Sequence, residues 1–246
     1  MASDRATQRP ARQRPMRENR GMTTIRPALD AAARAAIGAR TESLFQRAGA
    51  LREGHFLLKS GRHSERYLEK FLVLQDPAVT SELCSLWAGA ARGADGRPMA
   101  DVVAGPTTGG IVLAFETARQ LGVRGIFAEE VRAADGTTRR EFRRGFRIAP
   151  GERVLLVDDI LTTGGSLLAM LPPVEAAGGE IVACFVLADR SGGTAVLVSP
   201  TTGRRYPVQG LWQLEIPTFE PGPGTCPGCT AGVPLEAPGS TGTAGA

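Results

Sequence analysis

The sequence feature that most constrains the fold is the segment 154–166, in which an apolar run leads directly into two carboxylates. The run at 154–157 is short, apolar and partly β-branched, a pattern typical of a strand that is buried on both faces of a parallel sheet. Asp158 and Asp159 follow it, and we therefore expect both carboxylates at the carboxyl end of that strand. Ligands bind at this end of open α/β sheets.

The turn after the carboxylates combines hydroxyl groups with glycines, and it favours an anion site. Ser166 is predicted to cap a helix through residues 167–170, and backbone amides that converge at a helix start attract anions, phosphate most often. Neither of two common phosphate-loop patterns, G-x-x-x-x-G-K-S/T and G-x-G-x-x-G, occurs in the segment. The alternative is an ordinary strand, turn and helix, in which two Asp residues are present because Asp suits turns.

The rest of the chain alternates predicted strands with predicted helices, which favours an open parallel α/β sheet flanked by helices. A small-residue turn at 105–110 repeats this order between a strand at 101–104 and a helix at 111–121. Pro172 and Pro173 should shorten or bend the helix that follows the acidic segment. Further helices are expected at 28–50 and 79–91, a hairpin of strands at 55–61 and 67–74, and single strands at 125–131, 142–148 and 180–188.

Composition predicts one globular domain at 27–216 with a tail at each end. Residues 1–26 are rich in arginine and poor in large apolar residues, so we expect a disordered tail. Alternatively, this segment is an organelle transit peptide or an extension without function. Translation that starts at Met16 or Met22 would omit most of such an extension. Because this tail holds much of the net charge of +4, nucleic acid is not an expected partner. Residues 217–246 are dominated by Pro, Gly, Ser and Thr, and we expect an irregular, partly mobile tail.

Cysteine usage and hydropathy predict a cytoplasmic protein. No apolar stretch of the sequence approaches the ~20 residues that a membrane span needs, and Cys84 and Cys184 lie in apolar runs typical of reduced core cysteines. Cys226 and Cys229 have the spacing of half a zinc site, but a structural site needs four ligands and the two histidines are far away in the sequence. Two interpretations of this pair stay open. The cysteines bind a metal together with ligands from a second subunit, or they lie in a Pro/Gly-rich turn that happens to carry two thiols.

The acidic segment resembles the phosphoribosyl pyrophosphate (PRPP) loop of type I phosphoribosyltransferases, in which an apolar run precedes two acidic residues and a Thr-x-Gly-x-Ser/Thr turn. The resemblance implies that the carboxylates face the ribose hydroxyls and a Mg²⁺ ion carried by PRPP, with no protein ligand assigned to the ion. It also implies a small N-terminal hood, a flexible hairpin loop and a homodimer. The implied PRPP-binding residues are Asp158, Asp159, Ile160, Leu161, Thr162, Thr163, Gly164, Gly165 and Ser166.

Residues 56–61 resemble the Lys-Ser-Gly segment of orotate phosphoribosyltransferases. That resemblance implies that Lys59 contacts bound ligands and that Tyr67 and Leu68 lie against the pyrimidine ring. It also implies that Thr162 and Arg190 bind orotate. The implied reaction transfers ribose 5-phosphate from PRPP to orotate, which gives orotidine 5′-monophosphate and pyrophosphate.

The same family places pyrophosphate beside a turn that Thr108 matches, although no lysine lies near it here. The implied mobile loop also departs from the family, because residues 130–140 contain arginines where many members carry Lys and His. We predict Arg132 as the catalytic cation that neutralises departing pyrophosphate, with Arg139 and Arg140 as alternatives. A solvated hairpin tip would explain the same arginines without any function.

Two other functions stay open. The PRPP loop does not select the acceptor, so the chain could use a purine or another base. Because the loop lysine is missing, the chain could instead be a non-catalytic PRPP-sensing regulator that binds nucleic acid through its basic tail. The presence of Lys59 and Arg190 at acceptor positions argues against this alternative. Lys59 and Lys70 are the only lysines, and each is a candidate for a role that needs a compact ammonium group, with chance survival as the alternative.

Overall fold

The protein is described by a computed structural model that covers residues 31–133 and 135–238. The predicted tail at 1–26 and residues 239–246 lie outside the described residues. The strands are β1 (Leu51–Leu57), β2 (His63–Leu68), β3 (Val102–Pro106), β4 (Arg124–Arg132), β5 (Thr138–Glu141), β6 (Arg153–Leu161), β7 (Glu180–Asp189), β8 (Val196–Val198) and β9 (Arg205–Gln213). The helices are α1 (Ala31–Arg47), α2 (Lys70–Leu74), α3 (Pro77–Ala90), α4 (Gly109–Leu121), α5 (Gly165–Leu168), α6 (Leu171–Ala176) and α7 (Pro227–Thr230).

Seven strands form one sheet in the order β5-β4-β3-β6-β7-β9-β8. The five inner strands pair in parallel, while both edge strands pair antiparallel. The predicted open parallel sheet is therefore confirmed, with antiparallel edges added. β6 lies in the middle, and Leu155 and Val157 pack into one core cluster while Val154 and Leu156 pack into the other. Each such buried side chain contributes roughly 1.5–3 kcal/mol, so the strand that carries the acidic segment is firmly placed.

Two predicted strands are placed differently. The end of the predicted hairpin forms α2, because Glu69 accepts a hydrogen bond from the Phe71 amide (3.4 Å) and starts a helical turn. The strand predicted at 142–148 is replaced by the earlier β5. Arg144 and Gly145 have φ angles of 54° and 81°, and this left-handed pair is incompatible with an extended strand.

The proline pair has the predicted effect on the helix after the acidic segment. α5 ends at Leu168 and α6 begins at Leu171, with prolines in its first turn. Proline is tolerated there because the first amides of a helix have no intrahelical partner. None of the helices in the described part of the chain is long and apolar enough to cross a membrane.

The C-terminal segment, residues 217–238, packs on the hood hairpin, which consists of β1, β2 and the turn between them. His63 and Phe219 exchange two backbone hydrogen bonds of 2.9 and 2.8 Å, and the Leu57 amide donates to the Glu236 carbonyl at 2.7 Å. This segment is largely irregular, as predicted. It is nevertheless part of the hood rather than a separate tail, because the hairpin edges supply the backbone partners that its own sequence lacks.

Candidate active site

The two carboxylates lie in the carboxyl-terminal half of β6, the end at which we expected them. β6 continues to Leu161, and Asp158 pairs with Val186 of β7. Both side chains are buried, with Asp158 6% and Asp159 4% exposed. Asp158 accepts a hydrogen bond from the Asp159 amide (2.9 Å), and Asp159 accepts one from the Ile160 amide (2.7 Å). Strand pairing and these local bonds therefore hold both carboxylates in fixed positions.

Lys70 faces this acidic pair, and the PRPP-loop pattern contains no sign of it. Its Nζ lies 2.8 Å from Oδ2 of Asp159. Lys70 is the first residue of α2 and follows the hood hairpin directly. The ion pair thus connects the hood to the acidic segment. The sequence marks Lys70 only as one of two lysines, because its partner is distant along the chain.

The electrostatics of the pair hold one carboxyl near its titration point at neutral pH. Burial, and secondly the negative charge of Asp159, raise the pKa of Asp158 to about 7 from an ordinary value of 3.8. The Asp159 amide, a hydrogen bond from the Ser166 side chain and the charge of Lys70 all act in the opposite direction. A ligand that brings hydroxyl donors or a cation would favour the ionised form of this carboxyl.

The loop after β6 turns sharply at Gly164, whose φ of 77° lies in the left-handed region. A Cβ at this position would come within 2.9 Å of Cδ2 of Leu197, so both conformation and space require glycine. Gly164 occupies the N-cap of α5, so the prediction that Ser166 caps the helix is wrong. Ser166 lies in the first turn instead, where its side chain reaches Asp158. The exposed loop residues are Thr162, Thr163, Gly165 and Ser166.

The β3–α4 turn brings the start of a long helix against Asp159. A Cβ on Gly109 would lie 2.1 Å from Asp159 Oδ2, and a Cβ on Gly105 would lie 2.3 Å from the Gly110 carbonyl oxygen. Glycine at these positions therefore lets the turn lie against Asp159 and lets β3 lie against the start of α4, which any side chain would prevent. Thr108 is exposed at the N-cap of α4, and its side chain makes no capping hydrogen bond. The partial positive charge of the helix start favours an anion beside it.

The hairpin of β4 and β5 sends one of its arginines to that turn. Arg140 donates from Nη1 to Thr107 Oγ1 at 2.7 Å, and its Nη2 lies 3.5 Å from Glu130 Oε2. Arg139 pairs instead with Glu141 at 2.6 Å. Arg132 lies at the end of β4 with an exposed side chain. The structure thus separates the three arginines, which sequence reasoning could not distinguish, and it places Arg140 nearest the turn.

Arg190 follows β7 and lies next to the loop that begins at Thr162. Its backbone amide donates to the Leu161 carbonyl at 2.9 Å, which brings the two predicted acceptor residues to neighbouring strand ends. Asp189 fixes the turn by accepting from the amide (2.8 Å) and hydroxyl (2.6 Å) of Ser191. The Arg190 Nε is buried and has no hydrogen-bond partner among the described residues, and burial lowers the pKa of its guanidinium. A buried cationic donor without a partner can accommodate an anion.

The hood hairpin carries the two remaining predicted residues. Tyr67 of β2 is half-buried, and its ring lies 5.6 Å from that of Phe56. Burial, and secondly the charge of Glu69, raise the pKa of the Tyr67 hydroxyl, and the nearby charges of Lys70 and Arg52 partly offset this shift. Lys59 is exposed in the tight turn at the hairpin tip. Tyr67 thus lies on the strand that leads to α2, where Lys70 pairs with Asp159, and Lys59 lies at the tip of the hood hairpin.

The fold and the site define the class of this protein. Residues 87–203 match the family model described as the phosphoribosyl transferase domain. The paired carboxylates, the hydroxyl-rich loop and the β3–α4 turn all lie inside the matched region.

Relatives identify the family within this class. The orotate phosphoribosyltransferase of Caldicellulosiruptor bescii is 44% identical over 197 residues, which cover 80% of this chain and 94% of the relative. That of Pelotomaculum thermopropionicum is 42% identical over 198 residues, covering 80% and 95%. The chain therefore belongs to the orotate phosphoribosyltransferase family.

Solved structures agree with this fold. The orotate phosphoribosyltransferase from Aeropyrum pernix has a TM-score of 0.56 and 26% sequence identity, and the match covers 71% of this chain and 93% of that one. The enzyme of the same name from Mycobacterium tuberculosis H37Rv has a TM-score of 0.55 and 23% identity, covering 72% and 97%. The predicted fold class and family resemblance are confirmed.

Proposed function

We propose that this protein transfers the ribose 5-phosphate unit from PRPP to orotate, giving orotidine 5′-monophosphate and pyrophosphate. The observation that carries the proposal is the juxtaposition of two buried carboxylates, an exposed hydroxyl-rich loop and Arg190 at neighbouring strand ends. The carboxylates accept hydrogen bonds from sugar hydroxyls, whereas the loop hydroxyls and amides suit the 5′-phosphate. The names of the curated relatives support orotate as the acceptor.

The acceptor position is proposed at Arg190, with Thr162 and Tyr67 completing it. The carboxylate of orotate needs a fixed positive group, and the buried Nε of Arg190 has no partner of its own. Tyr67 offers a ring for stacking beside the pyrimidine. Lys59 would reach bound ligands from the tip of the hood, and closing of the hood over the site would exclude water.

Catalysis in this reaction depends on charge and alignment. Positive charge develops on the ribose as the bond to pyrophosphate breaks, and the buried carboxylates stabilise that charge. Among the described residues, only Lys70 is a near cationic partner of Asp158 and Asp159. Two carboxylates fit a hydrated hard cation such as Mg²⁺. Bound with PRPP, Mg²⁺ would neutralise pyrophosphate oxygens. On the leaving-group side, Thr108 and the start of α4 bind pyrophosphate, and Arg132 approaches it from the end of β4.

The test is a Mg²⁺-dependent assay of orotate consumption with PRPP, run beside adenine, hypoxanthine and xanthine. Of these four bases, we expect only orotate to give product. Product with a purine and none with orotate would exclude the proposed acceptor. The double variant of Asp158 and Asp159 to Asn should lose turnover severely and keep the fold. A PRPP-sensing regulator would show PRPP binding without product. Removal of residues 1–21 should leave turnover unchanged, whereas a nucleic-acid-binding role would depend on that tail.

We also propose a homodimer in the cytoplasm. Phe71, Val112 and Phe115 are large apolar side chains exposed by 48%, 41% and 68%, and they lie on α2 and α4, which contact each other. Exposed apolar groups on adjacent helices are typical of a subunit interface. The four cysteines are free thiols, which suits a reducing compartment. Light scattering of the purified protein tests the dimer, and Phe115→Glu should shift it toward monomer.

A further inference from the structure

The structure brings together four metal-ligating side chains that the proposed reaction does not use. His55 and His63 come from the two strands of the hood hairpin, and Cys226 and Cys229 from the C-terminal segment. One ligand atom of each lies within 4.8 Å of the others. His55, His63 and Cys226 are buried, and Cys229 is half-buried. The histidines are the only two in the sequence, and both face the cysteine pair.

The spacing of these atoms matches one tetrahedral metal ion. The Cys226 and Cys229 sulfurs lie 3.4 and 3.6 Å from Nε2 of His55, and the Cys229 sulfur lies 3.3 Å from Nδ1 of His63. Bond lengths of about 2.3 Å to sulfur and 2.0 Å to nitrogen place such atoms roughly 3.5 Å apart around tetrahedral zinc. The two nitrogens are closer, at 2.8 Å, so binding would move the imidazoles apart by roughly half an ångström.

Neighbouring groups orient the ligands toward a common centre. Nδ1 of His55 lies 2.8 Å from the Val233 carbonyl oxygen, and since a carbonyl only accepts, this nitrogen carries the proton. Nε2 of His55 therefore presents its lone pair to the cluster, in the arrangement typical of metal-binding histidines. Gly228 lies between the cysteines, and a Cβ there would be 2.6 Å from Cγ of His55. The Cys-Pro-Gly-Cys turn thus needs its glycine in order to close over the ring.

We propose that His55, His63, Cys226 and Cys229 bind one structural Zn²⁺ ion that fastens the C-terminal segment to the hood hairpin. Two thiolates and two imidazoles form a closed four-ligand set, which is typical of structural rather than catalytic zinc. The ion would join β1, β2 and α7, whose histidine and cysteine ligands are more than 160 residues apart in the chain. Its position on the hairpin would restrain the turn that carries Lys59, midway between the two histidines.

The first test is the zinc content of the full-length protein, purified without chelators and without a metal-affinity tag, and measured by inductively coupled plasma mass spectrometry. We expect about one zinc per chain, and a fall of at least about tenfold in Cys226→Ser, Cys229→Ser and His63→Asn. Thr230→Ala, on the same short helix, and Cys184→Ala, a core cysteine elsewhere, should retain it. Zinc retained by the ligand variants, or a stoichiometric metal other than zinc, would overturn the proposal.

A second test uses the wild-type protein and so does not depend on variants that fold. Cobalt(II) exchanged into the site should give the visible ligand-field bands of tetrahedral coordination and the near-ultraviolet charge-transfer band of thiolate ligands. A disulfide between Cys226 and Cys229 in reduced preparations, or two thiols that alkylate at the same rate with and without zinc, would exclude the site. Neither test measures turnover, so the zinc site and the proposed reaction can fail independently of each other.

Discussion

Asp158→Asn should stabilise the free protein at alkaline pH while lowering its turnover severely. The wild-type carboxyl has a folded-state pKa of about 7 and an ordinary value of 3.8, so the folded chain holds a proton that the unfolded chain has already released. The contribution of this carboxyl to the free energy of unfolding therefore falls as the pH rises from about 4 to 7, and it stays constant above pH 7. The difference between these two pKa values corresponds to roughly 4 kcal/mol at pH 8, of which roughly 1–2 kcal/mol is already present at pH 5.

The asparagine side chain removes this pH dependence but can still accept the hydrogen bond of the Asp159 amide. We expect Asp158→Asn to exceed the wild type in free energy of unfolding by roughly 2–4 kcal/mol at pH 8, and by roughly 2–3 kcal/mol less at pH 5. Urea denaturation at both pH values measures this difference. Buffers should be depleted of metal by resin and contain no PRPP, because either ligand would favour the ionised carboxyl. A chelator in solution is avoided, since it would also remove the proposed zinc.

Glu65→Gln is the control, because Glu65 is exposed on β2 and its change should alter stability by no more than about 0.5 kcal/mol. Turnover of Asp158→Asn should fall at least about a hundredfold, which is the trade-off expected of a group retained for function. A wild type that is more stable than Asp158→Asn at pH 8, or a gap that does not change with pH, would refute the electrostatic reasoning.

Three further substitutions test the other site contacts. Lys70→Met leaves the buried Asp159 carboxylate unpaired and should cost about 1–3 kcal/mol in urea denaturation, whereas Lys70→Arg should cost less; equal stability of all three proteins would deny the ion pair a role. Arg190→Ala should raise KM for orotate roughly 10–100-fold and KM for PRPP much less; the opposite pattern in steady-state kinetics would mean that the acceptor position is wrong. Arg132→Ala should lower kcat, while Arg140→Ala, which loses the bond to Thr107, should mainly raise KM for PRPP; identical kinetic effects would contradict their separate positions.

The sequence predicted the parts of the fold and site that depend on neighbouring residues. The apolar run before Asp158 identified the central strand, and the small residues after it identified the loop, because periodicity and turn chemistry are local properties. The ion pair of Lys70 with Asp159 could not be predicted, since its partners meet only after the hood has packed on the sheet. The break in the strand predicted at 142–148 likewise depends on left-handed backbone angles at Arg144 and Gly145. Arg144 is a non-glycine residue, and no sequence signal marks its left-handed conformation.

The metal-ligand cluster is a second feature that the sequence alone could not predict. The spacing of Cys226 and Cys229 indicated two ligands of a metal site. The sequence distance of His55 and His63 argued against these histidines as the other two ligands. That distance carries little weight once the hairpin is formed, because antiparallel pairing sets Leu57 beside His63 and so brings both histidines to one end of the hairpin. The backbone bonds of Phe219 and Glu236 then return the C-terminal segment to the same place. A four-ligand site can thus be assembled from two short sequence elements whose spacing, taken alone, predicts nothing.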